Sequence, residues 1–99
     1  VSLAGAEFLA AFDRLPMGLF GVRYEGRRWV AVRSTLAGGR AEKLVAEAAG
    51  RRGYVSMNLY RLRGGARLYP CEMPAADVRS FVLGLAVEGG TIPRRGAAQ

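Results

Sequence analysis

Cys71 is the only cysteine in the chain, and it sits between an extended run and a helix-like segment, with Arg67 and Arg79 nearby in sequence. Backbone N–H groups at a helix start and neighbouring guanidinium groups lower a thiol pKa, so this placement suits a reactive thiol, either a nucleophile or a redox sensor. The spacing around it argues the other way. In CEMPAADVR the cysteine and the arginine are separated by seven residues rather than the five of phosphatase-type loops, and the turn has no glycine to aim N–H groups at an anion. A small, half-buried cysteine is the plainer reading. The chain has no histidine. That removes the usual general base, the commonest metal ligand and every Ser-His triad. One cysteine without histidine makes no structural zinc site. Glu25, Glu42, Glu47, Glu72 and Asp77 show no ligand spacing and read as solvated charges and helix-end residues. The expectation is a non-enzymatic chain with no catalytic residue, metal or cofactor.

Two other groupings have chemical potential. LAGGR places Gly38, Gly39 and Arg40 ahead of an apparent helix, where free N–H groups and the helix dipole favour an anion. It is neither a P-loop nor a dinucleotide fingerprint, and glycines at such a junction usually serve the turn. The second grouping is YVSMNLYRLRGGARLYP, residues 54–70, which alternates on either side of a glycine turn. Pairing across Gly64-Gly65 sets Tyr60 opposite Tyr69, Arg61 opposite Leu68 and Leu62 opposite Arg67. Val55, Met57, Leu59 and Leu68 then share one face, with Arg61 a misfit whose charge snorkels past the sheet end. Tyr54, Asn58, Tyr60, Arg67, Tyr69 and Cys71 share the other. Aromatic rings on a sheet stack bases and arginines hold phosphates, so this face suits single-stranded nucleic acid. Tyrosine is also a preferred strand residue, and a cross-strand Tyr pair stabilises a hairpin by itself.

The elements that position these residues follow from periodicity. Phe8, Leu9, Phe12 and Leu15 give a helix over 4–15, with Ser2 as a candidate cap, stopped by Pro16. MGLFGVRY and RRWVAVRS form a hairpin across Glu25-Gly26, in which Tyr24 faces Arg27, Val22 faces Trp29 and Phe20 faces Ala31. Leu19, Gly21, Arg23, Arg28, Val30 and Val32 lie on its other side. RAEKLVAEAA, 40–49, carries a helical stripe of Ala41, Leu44, Val45 and Ala48, with Gly50 as C-terminal cap. Pro74 opens a last helix over 75–86 with Val78, Phe81, Val82 and Leu85 at core spacing. Residues 88–99 lack periodicity and are expected to be a disordered tail after a single domain, 1–87. The expected fold is α+β in two layers. It has a four-stranded, mainly antiparallel sheet with helices on one face, in the order α-ββα-ββα. The two ββα blocks align weakly at an offset of 37, as an internal repeat would.

Composition then limits function. At 99 residues the chain is one domain with a modest core. No apolar run is long enough for a membrane span, and VSLAGAEFLAAF lacks the basic start of a signal peptide. The cytoplasm is the expected compartment. The net charge is +7, and eleven of the fifteen Lys/Arg lie between Met17 and Glu72. A basic middle suits an anionic partner, either nucleic acid or an acidic protein. Fourteen of the fifteen basic residues are arginine, which also matches the bias of a GC-rich genome. The element order differs from the βαββαβ of the RNA-recognition motif. Leu19, Val30 and Val32 are too apolar for bare solvent and suit a subunit interface. Three readings stay open: a polyanion-binding sheet surface using Arg23 and Arg28 beside the tyrosines, a homodimerising accessory protein, and a Cys71 thiol enzyme or sensor.

Overall fold

The computed structural model describes residues 2–50, 53–71 and 73–88. The expected tail, apart from Glu88, lies outside them. In chain order the elements are β1 (Ser2–Leu3), α1 (Ala6–Asp13), β2 (Gly18–Tyr24), β3 (Arg27–Leu36), a 3-10 turn (Ala37–Gly39), β4 (Ala41–Ala48), β5 (Tyr54–Leu62), β6 (Gly65–Pro70), α2 (Ala75–Gly84) and β7 (Ala86–Val87). All strands pair antiparallel in one sheet, ordered β1-β6-β5-β4-β3-β2-β7. Five strands form its body and a two-residue strand closes each edge. This corrects the four-stranded sheet and the α-ββα-ββα order.

The difference lies in residues 40–49, which form central strand β4 and not a helix. Helix propensity favours AEKLVAEA by only tenths of a kcal/mol per residue. Against that stand two ladders: β4 pairs with β3 from Trp29↔Ala48 to Leu36↔Ala41, and with β5 from Ala41↔Tyr60 to Glu47↔Tyr54. A helix here would strip both neighbours of backbone partners. Leu44, Ala46 and Ala48 point inward and are buried, while Lys43, Val45 and Glu47 point outward. Gly50 therefore lies in a strand-to-strand turn, with φ of 81°. The internal repeat also fails, because Leu44-Val45 is strand while Phe81-Val82, its counterpart, is helix.

The first hairpin has the expected register, from Leu19↔Val32 through Phe20↔Ala31 and Val22↔Trp29 to Tyr24↔Arg27. Glu25 (φ 51°) and Gly26 (φ 75°) give the two left-handed residues of a tight primed turn, whose twist matches the strands. The second hairpin is two residues out of the expected register. It turns at 63–64, so Leu62 faces Gly65, Arg61 faces Ala66 and Tyr60 faces Arg67. A shift of two keeps every side chain on its face, so the division of β5 and β6 into inner and outer residues is unchanged.

α1 and α2 pack against each other and share one cluster with the inner sheet face. Phe8, Phe12, Val78, Phe81, Val22, Leu44, Met57, Leu59 and Leu68 are its fully enclosed large side chains. Tyr24, Trp29 and Phe81 meet with ring centroids 4.9–5.9 Å apart. Arg79 of α2 donates to the carbonyls of Ala4 (2.5 Å) and Leu3, tying the helix to the chain entering α1.

An ionic cluster lies inside this layer. Glu42 is 4% exposed and Arg33 7%. Arg33 Nε donates to Glu42 Oε1 at 2.7 Å, and its Nη1 donates to the carbonyls of Phe12 (3.1 Å) and Leu15 (2.6 Å). One guanidinium thus satisfies a carboxylate and the open end of α1, where the helix dipole favours a cation. It also lies 4.6 Å from the Phe12 ring centroid. Arg61, expected to reach into water, donates to Glu42 Oε2 from Nε (3.0 Å) and Nη2 (2.6 Å), and to Asp13 Oδ1 (2.6 Å). Burial pushes the Glu42 carboxyl up, but the hydrogen bonds from Arg33 and Arg61 and their charges outweigh it and hold the carboxyl below its ordinary value. The hydrogen bond to Glu42 in turn raises Arg61, against the opposing effect of burial.

Removing one member of a buried ion cluster strands the others, so Glu42→Ala is expected to cost about 3–5 kcal/mol in urea unfolding. Because the folded carboxyl titrates below its unfolded counterpart, its stabilisation is fully present above the ordinary value of 4.5 and is lost as pH falls through the lower folded value. Unfolding curves of wild type and Glu42→Gln from neutral to acid pH should show this extra acid loss in wild type alone. A second expectation concerns Gly53, where a Cβ would come within 2.6 Å of Trp29 Cη2. Gly53→Ala should cost about 1–3 kcal/mol by overpacking, read from the thermal midpoint.

Candidate functional site: the uncovered sheet face

With both helices on the inner face, the outer face carries side chains that no described element covers. Register arranges them in lines across the strands. Leu19, Val32, Val45 and Ser56 lie on one line. On one side of it run Gly21, Val30, Glu47 and Tyr54, and on the other Ser34, Lys43, Asn58 and Tyr69. Leu19 is 72% exposed, Val30 54% and Val32 41%. Leu36, Tyr54, Tyr60 and Tyr69 are also exposed. An apolar strip across β2–β4 therefore borders an aromatic and polar patch on β5–β6.

The expected site residues divide into three places. Asn58, Tyr60, Arg67 and Tyr69 are together. Tyr60 and Tyr69 sit on the diagonal, not directly opposite as expected, with centroids 5.0 Å apart and rings at 89°, an edge-to-face pair. With Asn58 and Leu62 they line a shallow depression. Arg67 lies between Tyr60 and Leu3 in the register, and its Nη1 is buried without an acceptor among the described residues. Tyr54 stands apart, beside Glu47. Arg23 and Arg28 occupy a distant corner. From the line of Arg28 to that of Asn58 is six residues along β4, about 20 Å. They share Glu88, at 3.7 Å from Arg23 and 2.9 Å from Arg28. Glu88 offsets one of these two charges, and the corner does not adjoin the tyrosines.

The other two groupings lose their local basis. Gly38, Gly39 and Arg40 belong to a four-residue hairpin loop between Leu36 and Ala41, so no helix dipole reaches an anion there. The glycines serve the turn, with φ of 67° and 92°. Cys71 uses its backbone N–H in the ladder, donating to Ser56 at 2.9 Å, and α2 begins only at Ala75 after Pro74. Its Sγ lies 4.0 Å from Asn58 Nδ2, a neutral donor. Among the described residues no group of three His, Cys, Asp or Glu is placed to hold a metal, and no helix is long and apolar enough to cross a membrane.

Lys43, Val45 and Glu47 are outer-face residues that the sequence reading missed, because it put them on a helix. Lys43 stands between Ser34 and Asn58, and Glu47 between Val30 and Tyr54. The alternation of Leu44, Ala46 and Ala48 with Lys43, Val45 and Glu47 was the available signal. Comparison with family models, with curated proteins and with solved structures returned no match.

An exposed aromatic pair adds little to stability. Tyr60→Ala and Tyr69→Ala should each cost about 1 kcal/mol or less in chemical denaturation, against about 3–5 kcal/mol for Phe81→Ala in the core. Equal losses at all three positions would mean that the tyrosine face is covered.

Proposed function

We propose that this chain is a non-enzymatic interaction domain whose uncovered sheet face docks another protein surface. The observation that carries this reading is the exposure of Leu19, Val30 and Val32 side by side on two paired strands. Contiguous apolar surface rimmed by polar residues marks a protein–protein contact. Lys43, Glu47, Ser34 and Asn58 provide that rim.

The polyanion reading has a narrower base. Asn58, Tyr60, Tyr69 and Arg67 favour it by their proximity. Arg23 and Arg28 share Glu88 and lie away from the tyrosines, and Arg33 and Arg61 are held by Glu42. Counterion release needs several cations able to meet phosphates together.

Methyl and amide NMR separates the two. Docking of a second copy through the apolar strip should shift Leu19, Val30, Val32 and Val45 in a protein-concentration series, and the shifts should persist as salt rises. Mixed-sequence single-stranded RNA should leave them still. Shifts confined to Asn58, Tyr60, Arg67 and Tyr69 on adding RNA, fading as salt rises, would overturn the docking reading in favour of nucleic acid.

A further inference from the structure

The docking reading leaves the occupant of the face open, and the arrangement of charge on β4 constrains it. Lys43 and Glu47 are both exposed and lie on the same strand and face, four residues apart, with Val45 midway. Neither makes an ion pair among the described residues. Val45 also belongs to the line Leu19–Val32–Val45–Ser56, which crosses β2 to β5 at right angles to the strands.

We infer that the occupant is a second copy of this chain, packed face to face about a twofold axis that lies along this line. This rests on the docking reading. The axis reverses strand direction and keeps strand position, so β4 lies over its own copy, antiparallel. Lys43 then faces Glu47 of the partner subunit, and Glu47 faces Lys43 of the partner subunit. Leu19, Val32 and Val45 each meet their own counterparts, while Ser56, 3% exposed, lies below the contact. The alternative axis, parallel to the strands, would set lysine against lysine and glutamate against glutamate. The charge pattern therefore complements itself in one of the two twofold arrangements and opposes itself in the other. Facing sheets pack about 10 Å apart with strands nearly aligned, which this arrangement satisfies.

The available area is sufficient. Five strands at about 4.8 Å spacing, over about eight residues of length, give roughly 600 Å² per copy in flat projection. Two copies bury about 1,200 Å², the lower end of specific, stable interfaces and more once side chains interdigitate. The dimer is thus expected to be reversible and to dissociate on dilution.

Sedimentation equilibrium of the full chain tests this, over about 1 μM to 1 mM. Wild type should pass from one to two copies with rising concentration. Lys43→Glu alone, or Glu47→Lys alone, sets like charges face to face at both symmetry-related positions and should weaken the dimer by at least about tenfold. The double variant Lys43→Glu/Glu47→Lys restores both pairs and should return the constant to near wild type. Circular dichroism keeps the result readable by showing that each variant is folded. A wild type that stays monomeric throughout would overturn the second copy as occupant and leave the face to a different chain. A dimer that ignores the single reversals, or that the double reversal does not rescue, would overturn this packing. A dimer unaffected by Val32→Asp would overturn the docking reading as well, because the strip would then not be the contact.

Discussion

A carboxylate buried between two arginines sets the terms for the rest of the structure. Glu42 on β4 receives Arg33 from β3 and Arg61 from β5, so three neighbouring strands meet at one charge. Arg33 carries the same connection to the end of α1, and Arg61 carries it to Asp13. Such clusters are poor sources of net stability, because desolvation offsets most of the attraction. Their force lies in what they exclude. Sliding β4 by one residue would bury Lys43 against two arginines and expel Leu44, so register, face and helix position are fixed together.

That constraint explains how the two faces became so different. The inner face holds the buried pair Arg33 and Glu42, and around them the helices complete an apolar layer. The outer face keeps branched residues on a line across its middle, flanked on β4 by Lys43 and Glu47, with Arg23, Arg28 and Glu88 at one corner. Much of the chain's positive charge is therefore either consumed inside or dispersed at turns such as those holding Arg40 and Arg63. A net charge counted from composition does not describe a surface, since it gives buried, paired and loop arginines equal weight.

The sequence makes the face assignment of both hairpins legible, because alternation survives any even shift in pairing. The register of Tyr60 with Arg67 was not legible, since Arg63-Gly64 and Gly64-Gly65 are both credible turns. The central strand was the larger loss. Alanine fits either period, and Leu44 and Ala48 belong to both the helical stripe and the strand alternation. Glu42 reads in the sequence as a solvated charge, because an inward acid is costly in isolation. Its justification lies far away in sequence, in two inward arginines: one on the Ala31/Trp29 side of β3, the other the misfit of β5. Two unpaired cations facing a core demand an anion from a strand between them, and β4 is where that anion stands. Lys43 and Glu47 became visible as surface residues only once that was settled.

The two ends of the sheet have a consequence of their own. Each outermost strand pairs through only two residues, Ser2–Leu3 on one side and Ala86–Val87 on the other, and Pro70 withholds an N–H from the exposed part of β6. A long bare edge would act as a template for strand after strand and let the molecule polymerise sideways. Here the edges are stubs, and a flat face can be used only once. In the proposed packing, the strip of bare hydrocarbon is used up in a contact between two copies that closes on itself, and adds no further copies sideways.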